Sequence, residues 1–151
     1  MTGTPETLVP HRAPMLFLDR IVAISDTEVT AETVCGPQNP LHVAGCGLPG
    51  YAGLEMMAQA VAAVDGQKRT QAGSTPKIGF LLGCRRYSVA CESFADGTVL
   101  RINAKMVFSD GEMFSFECRI DGEDGSELAR ANMNVYAPAN PEAFLAKGGA
   151  A

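Results

Sequence analysis

The sequence predicts an α+β domain in which an antiparallel sheet wraps one central helix. Three observations lead there. The run Tyr51 to Asp65 is apolar at every position except Gly53, Glu55, Gln59 and Asp65, and is dominated by Ala and Met, so it reads as a helix buried on all sides. Two β-branched segments precede it, and several longer strand-like segments follow, separated by turn residues. With 151 residues the chain suits a single core, and a chain of that size can bury about 68 to 70% of its unfolded surface without a disulfide or metal staple. The domain is expected to span residues 1–138, with 139–151 as a flexible tail.

Each element has a local reason. Pro5, Pro10 and Pro14 punctuate the start, so a loop or a single helical turn should lead into Met15 to Leu18. Ile21 to Ile24 and Glu28 to Val34 flank the turn-like Ser25-Asp26 and predict a hairpin. Cys35 to Gly50 holds so many Gly and Pro residues that only loop is expected there. Pro49 and Gly50 stand just before the helix, whose first amides lack acceptors within it. The polar stretch Gln67 to Pro76 reads as a connection. Strands are predicted at Ile78 to Cys91, Val99 to Phe108, Met113 to Ile120 and Glu127 to Tyr136, with turns at Ala95 to Gly97, Asp110-Gly111 and Asp121 to Gly125.

Composition narrows the function classes. A formal charge of -5 argues against nucleic acid, which needs a dense basic surface. Met1 to Val9 has neither a basic start nor a long apolar run, and the most apolar segment is too short to span a bilayer and contains Glu55 and Gln59. A cytoplasmic protein without an export signal or membrane span is the expectation. Five cysteines form no CxxC pair, and the two histidines have no metal-ligand spacing, so neither a disulfide framework nor a metal site is expected.

Glu55 is the first candidate for chemistry, because an ionised carboxylate without partners on an apolar helix is costly to bury. Gln59, four residues on, shares its face and can reach it. Glu55 is then either a structural carboxyl satisfied by Gln59 and backbone donors, or an acid whose pKa is raised by desolvation. His42 lies in the Gly/Pro loop that leads to the helix, and imidazole is the usual general base near neutral pH. Together with the free amides beside Pro49-Gly50, which can stabilise an oxyanion, these residues supply three kinds of catalytic part.

Leu48-Pro-Gly-Tyr-Ala-Gly-Leu-Glu-Met-Met-Ala-Gln59 resembles the central-helix signature of the hotdog-fold 3-hydroxyacyl-[acyl carrier protein] dehydratases, and Val9-Pro-His-Arg-Ala-Pro-Met-Leu-Phe-Leu-Asp-Arg20 is similar to that family's leading segment. The likeness spans roughly Leu8 to Tyr136 and implies a hotdog fold, assembled as a homodimer or higher oligomer or with another dehydratase subunit. It implies that His42 abstracts the α-proton of a 3-hydroxyacyl thioester, that Glu55 from the partner subunit's helix protonates the departing hydroxyl, that Gly50 donates its N–H to the thioester carbonyl, and that Gln59 orients Glu55. It also implies an acyl carrier protein as partner, with the substrate on its 4'-phosphopantetheine arm and no other cofactor.

The sequence departs from the family in its loop. The base of those dehydratases stands fourteen residues before the acid in an HFPGHP-like context, whereas His42 stands thirteen before Glu55, Leu41 takes the fourteenth place, and the second histidine and the phenylalanine are missing. This pattern more closely resembles the divergent dehydratase-like subunits encoded with aryl-polyene pigment synthases. Two alternatives stay open: a catalytically weak partner of an active dehydratase, and a hotdog thioesterase in which Glu55 activates water. Lys77, Arg85 and Arg86 read as a solvated edge that can also attract an acidic carrier or its phosphate. His11 with Arg12, and Asp19 with Arg20, are expected to fix the leading segment. Phe80, Leu81, Phe108, Phe114 and Phe116 read as core or tunnel lining, and Cys46 lacks an activating arrangement for a nucleophile.

Overall fold

The structure, a computed structural model, describes residues 3–73 and 80–136. Its sheet has six strands, β1 (Arg20–Ile24), β2 (Glu28–Val34), β4 (Phe80–Val89), β6 (Val99–Ser109), β7 (Met113–Asp121) and β8 (Glu127–Tyr136), in the antiparallel order β1-β2-β6-β7-β8-β4. The chain leaves β2, forms the long helix α2 (Ala52–Gln71), and returns to the far edge of the sheet as β4. A short helix α1 (Pro5–Leu8) opens the described chain.

Alternation decides which face meets the helix. Val29, Ala31 and Thr33 of β2 lie opposite Ala104, Ile102 and Leu100 of β6, and all six are buried. Ala129, Ala131 and Met133 continue this inner face on β8. Four alanines here keep the sheet floor low, so that Met56, Met57, Val61 and Val64 of α2 fill the space above it. Each methionine is completely buried, which contributes roughly 1.5 to 3 kcal/mol.

The helix runs past its predicted end at Asp65. Gly66, a weak helix former, stays helical because the backbone of Leu8 in α1 crosses it so closely that a Cβ there would stand 1.7 Å from the Leu8 carbonyl oxygen. The last turns, polar and partly exposed, gain an Arg69 to Asp65 ion pair at 2.7 Å. The expected all-round burial also needs correction: Leu54, Glu55, Ala58 and Ala62 are only half-buried and Tyr51 is 64% exposed, a stripe along one side of the helix.

A second correction concerns Cys35 to Gly50, where only loop was expected. Within it β3 (Leu48–Pro49) pairs antiparallel with β5 (Ser93–Phe94). Gly47, at φ 99°, permits this approach: a Cβ there would meet the Phe94 carbonyl oxygen at 2.2 Å. Leu48 is then fully buried, and the chain enters α2 at a fixed angle. The expected tail at 139–151 and the strand start at Ile78 lie outside the described residues.

Candidate active site

Glu55 sits in the first turn of α2, where the helix dipole favours a negative side chain. Its Oε1 accepts a hydrogen bond from Gln59 Nε2 at 3.0 Å. Gln59 is completely buried and uses its whole amide: Nε2 also donates to the Met15 carbonyl at 2.8 Å, and Oε1 accepts the Phe17 N–H at 2.8 Å. One side chain thus ties the leading segment to the helix and holds Glu55. His11, on that segment, places Nε2 3.5 Å from Glu55 Oε1. The Glu55 side chain is 39% exposed, so its expected burial is not reached within this chain.

The leading segment is fixed as its charged residues suggested. Arg12 donates to the carbonyls of Val9 and His11 at 3.0 and 2.7 Å, and Asp19 accepts the Val34 N–H at 2.7 Å. Arg20 and Arg101 both bind Glu32, and their guanidinium groups hold its carboxyl below the usual carboxylate range.

His42 belongs to a tight turn in which its N–H donates to the Asn39 carbonyl at 3.0 Å. Its Nε2 lies 2.8 Å from Asp96 Oδ1, with the imidazole only 13% exposed. Asp96 stands on the connection between β5 and β6, which the β3–β5 ribbon brings against the loop. Reasoning from sequence found Asp96 only as a turn residue, and nothing local signals its role, because the partners are 54 positions apart. Among the described residues no hydrogen bond or ion pair joins His42 to Glu55 within the chain.

Gly50 is corrected. Its N–H, expected to be free for a thioester carbonyl, donates to the Glu92 carbonyl at 2.7 Å, because the β3–β5 pairing lays that carbonyl beside it. The Gly50 carbonyl accepts the Tyr87 hydroxyl at 2.5 Å, and burial pushes that phenol up to about 12, so it remains a donor. Among the described residues, no backbone hydrogen bond is donated by the next two amides, Tyr51 and Ala52.

Arg85 and Arg86 are exposed on the edge strand β4, at a bulge where Arg86 has a positive φ of 56°. Arg85 also lines an open groove of about 350 Å³ on the outer sheet face with Val107, Glu117 and Asn132. Lys77 lies outside the described residues, as do the side chains of Phe80 and Leu81. Phe116 is core and Phe114 packs against it, but Phe108 is 55% exposed, because a bulge between Met106 and Phe108 breaks the alternation. Cys35 and Cys118 are buried thiols that burial pushes up to about 12, whereas Cys46 is exposed. Among the described residues no group of His, Cys, Asp and Glu could hold a metal ion, and no helix is long and apolar enough to cross a membrane.

Comparison with known proteins gives these parts a context. The sequence model of the ApeP-like family, described as ApeP dehydratase, matches residues 3–146. The dehydratase heterocomplex ApeI:P from Xenorhabdus doucetiae contains a chain that is 29% identical, with a TM-score of 0.86 over 97% of this chain and 99% of that one. A hypothetical thioesterase protein with coenzyme A from Streptococcus pneumoniae is 18% identical, with a TM-score of 0.60 over 79% of this chain and 84% of its own. The PaaI protein of the Escherichia coli phenylacetic acid degradation operon is 12% identical, with a TM-score of 0.61 over 77% and 80%. These two show the shared hotdog fold alone. No curated protein matches the chain. The family match covers nearly the whole length, including the leading segment, loop and helix that carry His11, His42, Glu55 and Gln59, and the chain therefore belongs to the ApeP-like dehydratases.

Proposed function

We propose that this chain dehydrates a 3-hydroxyacyl thioester borne on the phosphopantetheine arm of an acyl carrier protein, in aryl-polyene-type synthesis, and does so assembled with a second hotdog subunit. The observation that carries the reading is Glu55: a carboxyl in the first turn of the long helix, gripped through one oxygen by a buried Gln59 and only half covered in its own chain. Each chain supplies two half-sites, and a second subunit seated on the open helix stripe brings an imidazole to the carboxyl.

A β-elimination needs three groups. His42 takes the proton from the α-carbon; the electron pair of that C–H bond forms the new double bond as the β C–O bond breaks; Glu55 protonates the departing hydroxyl, and water leaves. With the Asp96 carboxylate accepting from Nε2–H, the lone pair of His42 is on Nδ1, the atom that serves as base. Since the Gly50 amide is engaged, the charge on the thioester oxygen falls to the amides of Tyr51 and Ala52 at the helix start. The reaction requires no cofactor besides the carrier's own arm. Arg85 and Arg86 offer positive charge for docking an acidic carrier, and reversing both charges is expected to raise KM for the carrier-bound substrate while sparing kcat.

The neighbour ApeI:P is a heterocomplex, and this likeness sets another dehydratase-type chain beside a second copy of this one as a candidate for the second subunit. The engaged Gly50 amide and the shortened His42 loop favour a second reading, in which this chain lends Glu55 to the partner's imidazole and its own loop half-site is weak. Mass spectrometry of the carrier-bound acyl chain tests both. Loss of water that disappears with Glu55→Gln supports the proposal; if His42→Ala leaves turnover intact, the lending reading holds; release of free acid instead of water means a thioesterase.

A further inference from the structure

We infer that His11 is a positioning residue for Glu55, which together with Gln59 fixes which carboxyl oxygen delivers the proton. The inference rests on the dehydratase reading, with Glu55 as the acid. Both neighbours address the same atom: Gln59 Nε2 is 3.0 Å and His11 Nε2 is 3.5 Å from Oε1. Among the described residues, none is paired with Oε2.

The other nitrogen of His11 decides the tautomer. Nδ1 is buried and has no hydrogen-bond partner. A proton there would be a buried donor facing nothing, so the proton of the neutral ring sits on Nε2, the nitrogen that faces Glu55. The 3.5 Å separation is longer than a hydrogen bond, a gap that a small side-chain rotation closes when substrate excludes water. The backbone around His11 is held on both sides, by Arg12 through the carbonyls of Val9 and His11, and by Gln59 through Met15 and Phe17. The ring has a fixed origin, which a positioning role requires.

Gln59 bonded to Oε1, with His11 Nε2 closing on the same atom, makes it the acceptor oxygen of the neutral carboxyl and leaves the acidic proton on Oε2. When that proton passes to the leaving hydroxyl, charge develops on a carboxylate that already has two N–H groups aimed at it. His11 therefore acts in the chemical step more than in binding. Its nearness to the acid was not evident in sequence, where His11 is forty-four residues from Glu55.

The test uses the assembled dehydratase and a carrier-bound 3-hydroxyacyl chain, with His11→Leu, which keeps bulk without a donor, and His11→Gln, whose amide nitrogen reaches close to where Nε2 stands. His11→Leu should lower kcat about tenfold to a hundredfold, with KM within about twofold of wild type. His11→Gln should recover most of kcat. A leucine variant as fast as wild type, or a glutamine variant no faster than the leucine one, overturns the inference. Imidazole 15N shifts give a readout independent of turnover: an Nε2–H tautomer supports the assignment and an Nδ1–H tautomer contradicts it. A wild-type assembly that releases no water refutes the dehydratase reading instead, and the tautomer still decides the geometry.

Discussion

The two proposed half-sites of this chain are built to different standards. At the helix, Glu55 is held by a fully buried glutamine that uses all of its amide, and faces at 3.5 Å a histidine on the segment that the same glutamine ties down at Met15 and Phe17. At the loop, His42 leans on one carboxylate, Asp96, whose side chain is 55% exposed. The helix half-site is held by the core and the loop half-site by the surface. A buried brace resists water and thermal motion, whereas a single hydrogen bond to a largely exposed carboxylate competes with water in the free chain. On the proposed reading the acid is preorganised within its own subunit, and the base would gain its rigidity from a second subunit over the loop.

The largest effect should come from Glu55→Gln, which keeps the Gln59 contact and removes only the proton. Its kcat is expected to fall about 10²- to 10⁴-fold with stability unchanged, measured by dehydration assay alongside thermal unfolding. Asp96→Asn should matter less. It removes a charged hydrogen bond and offers Nε2 a weaker acceptor, lowering kcat roughly 10- to 150-fold. A loss as large as that of Glu55→Gln would show that the two half-sites are equally indispensable, and no loss would mark Asp96 as a surface contact only.

Tyr87→Phe probes the frame the half-sites share, since its hydroxyl ties β4 to the Gly50 carbonyl at the helix start. A stability loss of about 1 kcal/mol is expected, read by chemical denaturation, with a modest fall in kcat. The smallest effect should come from Glu32, remote from both half-sites in bonding. Hydrogen bonds from Arg101, then Arg20, depress its pKa below the ordinary 4.5. A depressed acid gives stability that is complete above the unfolded pKa and lost as pH falls through the folded one. Unfolding free energy should therefore decline below about pH 4.5, and Glu32→Gln should flatten that decline slightly, by well under 1 kcal/mol.

Much of this was legible in the sequence, for identifiable reasons. Strand alternation and turn residues give the hairpin and the long strands to within a few residues, with β2 and β8 at the predicted ends. The spacing of four between Glu55 and Gln59 already puts them on one face. What escaped was set by backbone approach between distant segments. The β3–β5 ribbon depends on Gly47 passing the Phe94 carbonyl, and the breaker count around it points the other way. The same ribbon engages the Gly50 amide and brings Asp96 to His42, so one unseen pairing accounts for both contacts. Gly66 reads as a helix end by propensity and is instead where α1 crosses.

On the proposed reading, acid and base come from different subunits. This is tested most directly by mixing two inactive chains, His42→Ala and Glu55→Gln, under conditions that exchange subunits, with mixed dimers verified by native mass spectrometry. A symmetric two-subunit site predicts recovery of about one quarter of wild-type turnover, because half of the dimers are mixed and each carries one intact pair. Mixed dimers that form and remain inactive would contradict it.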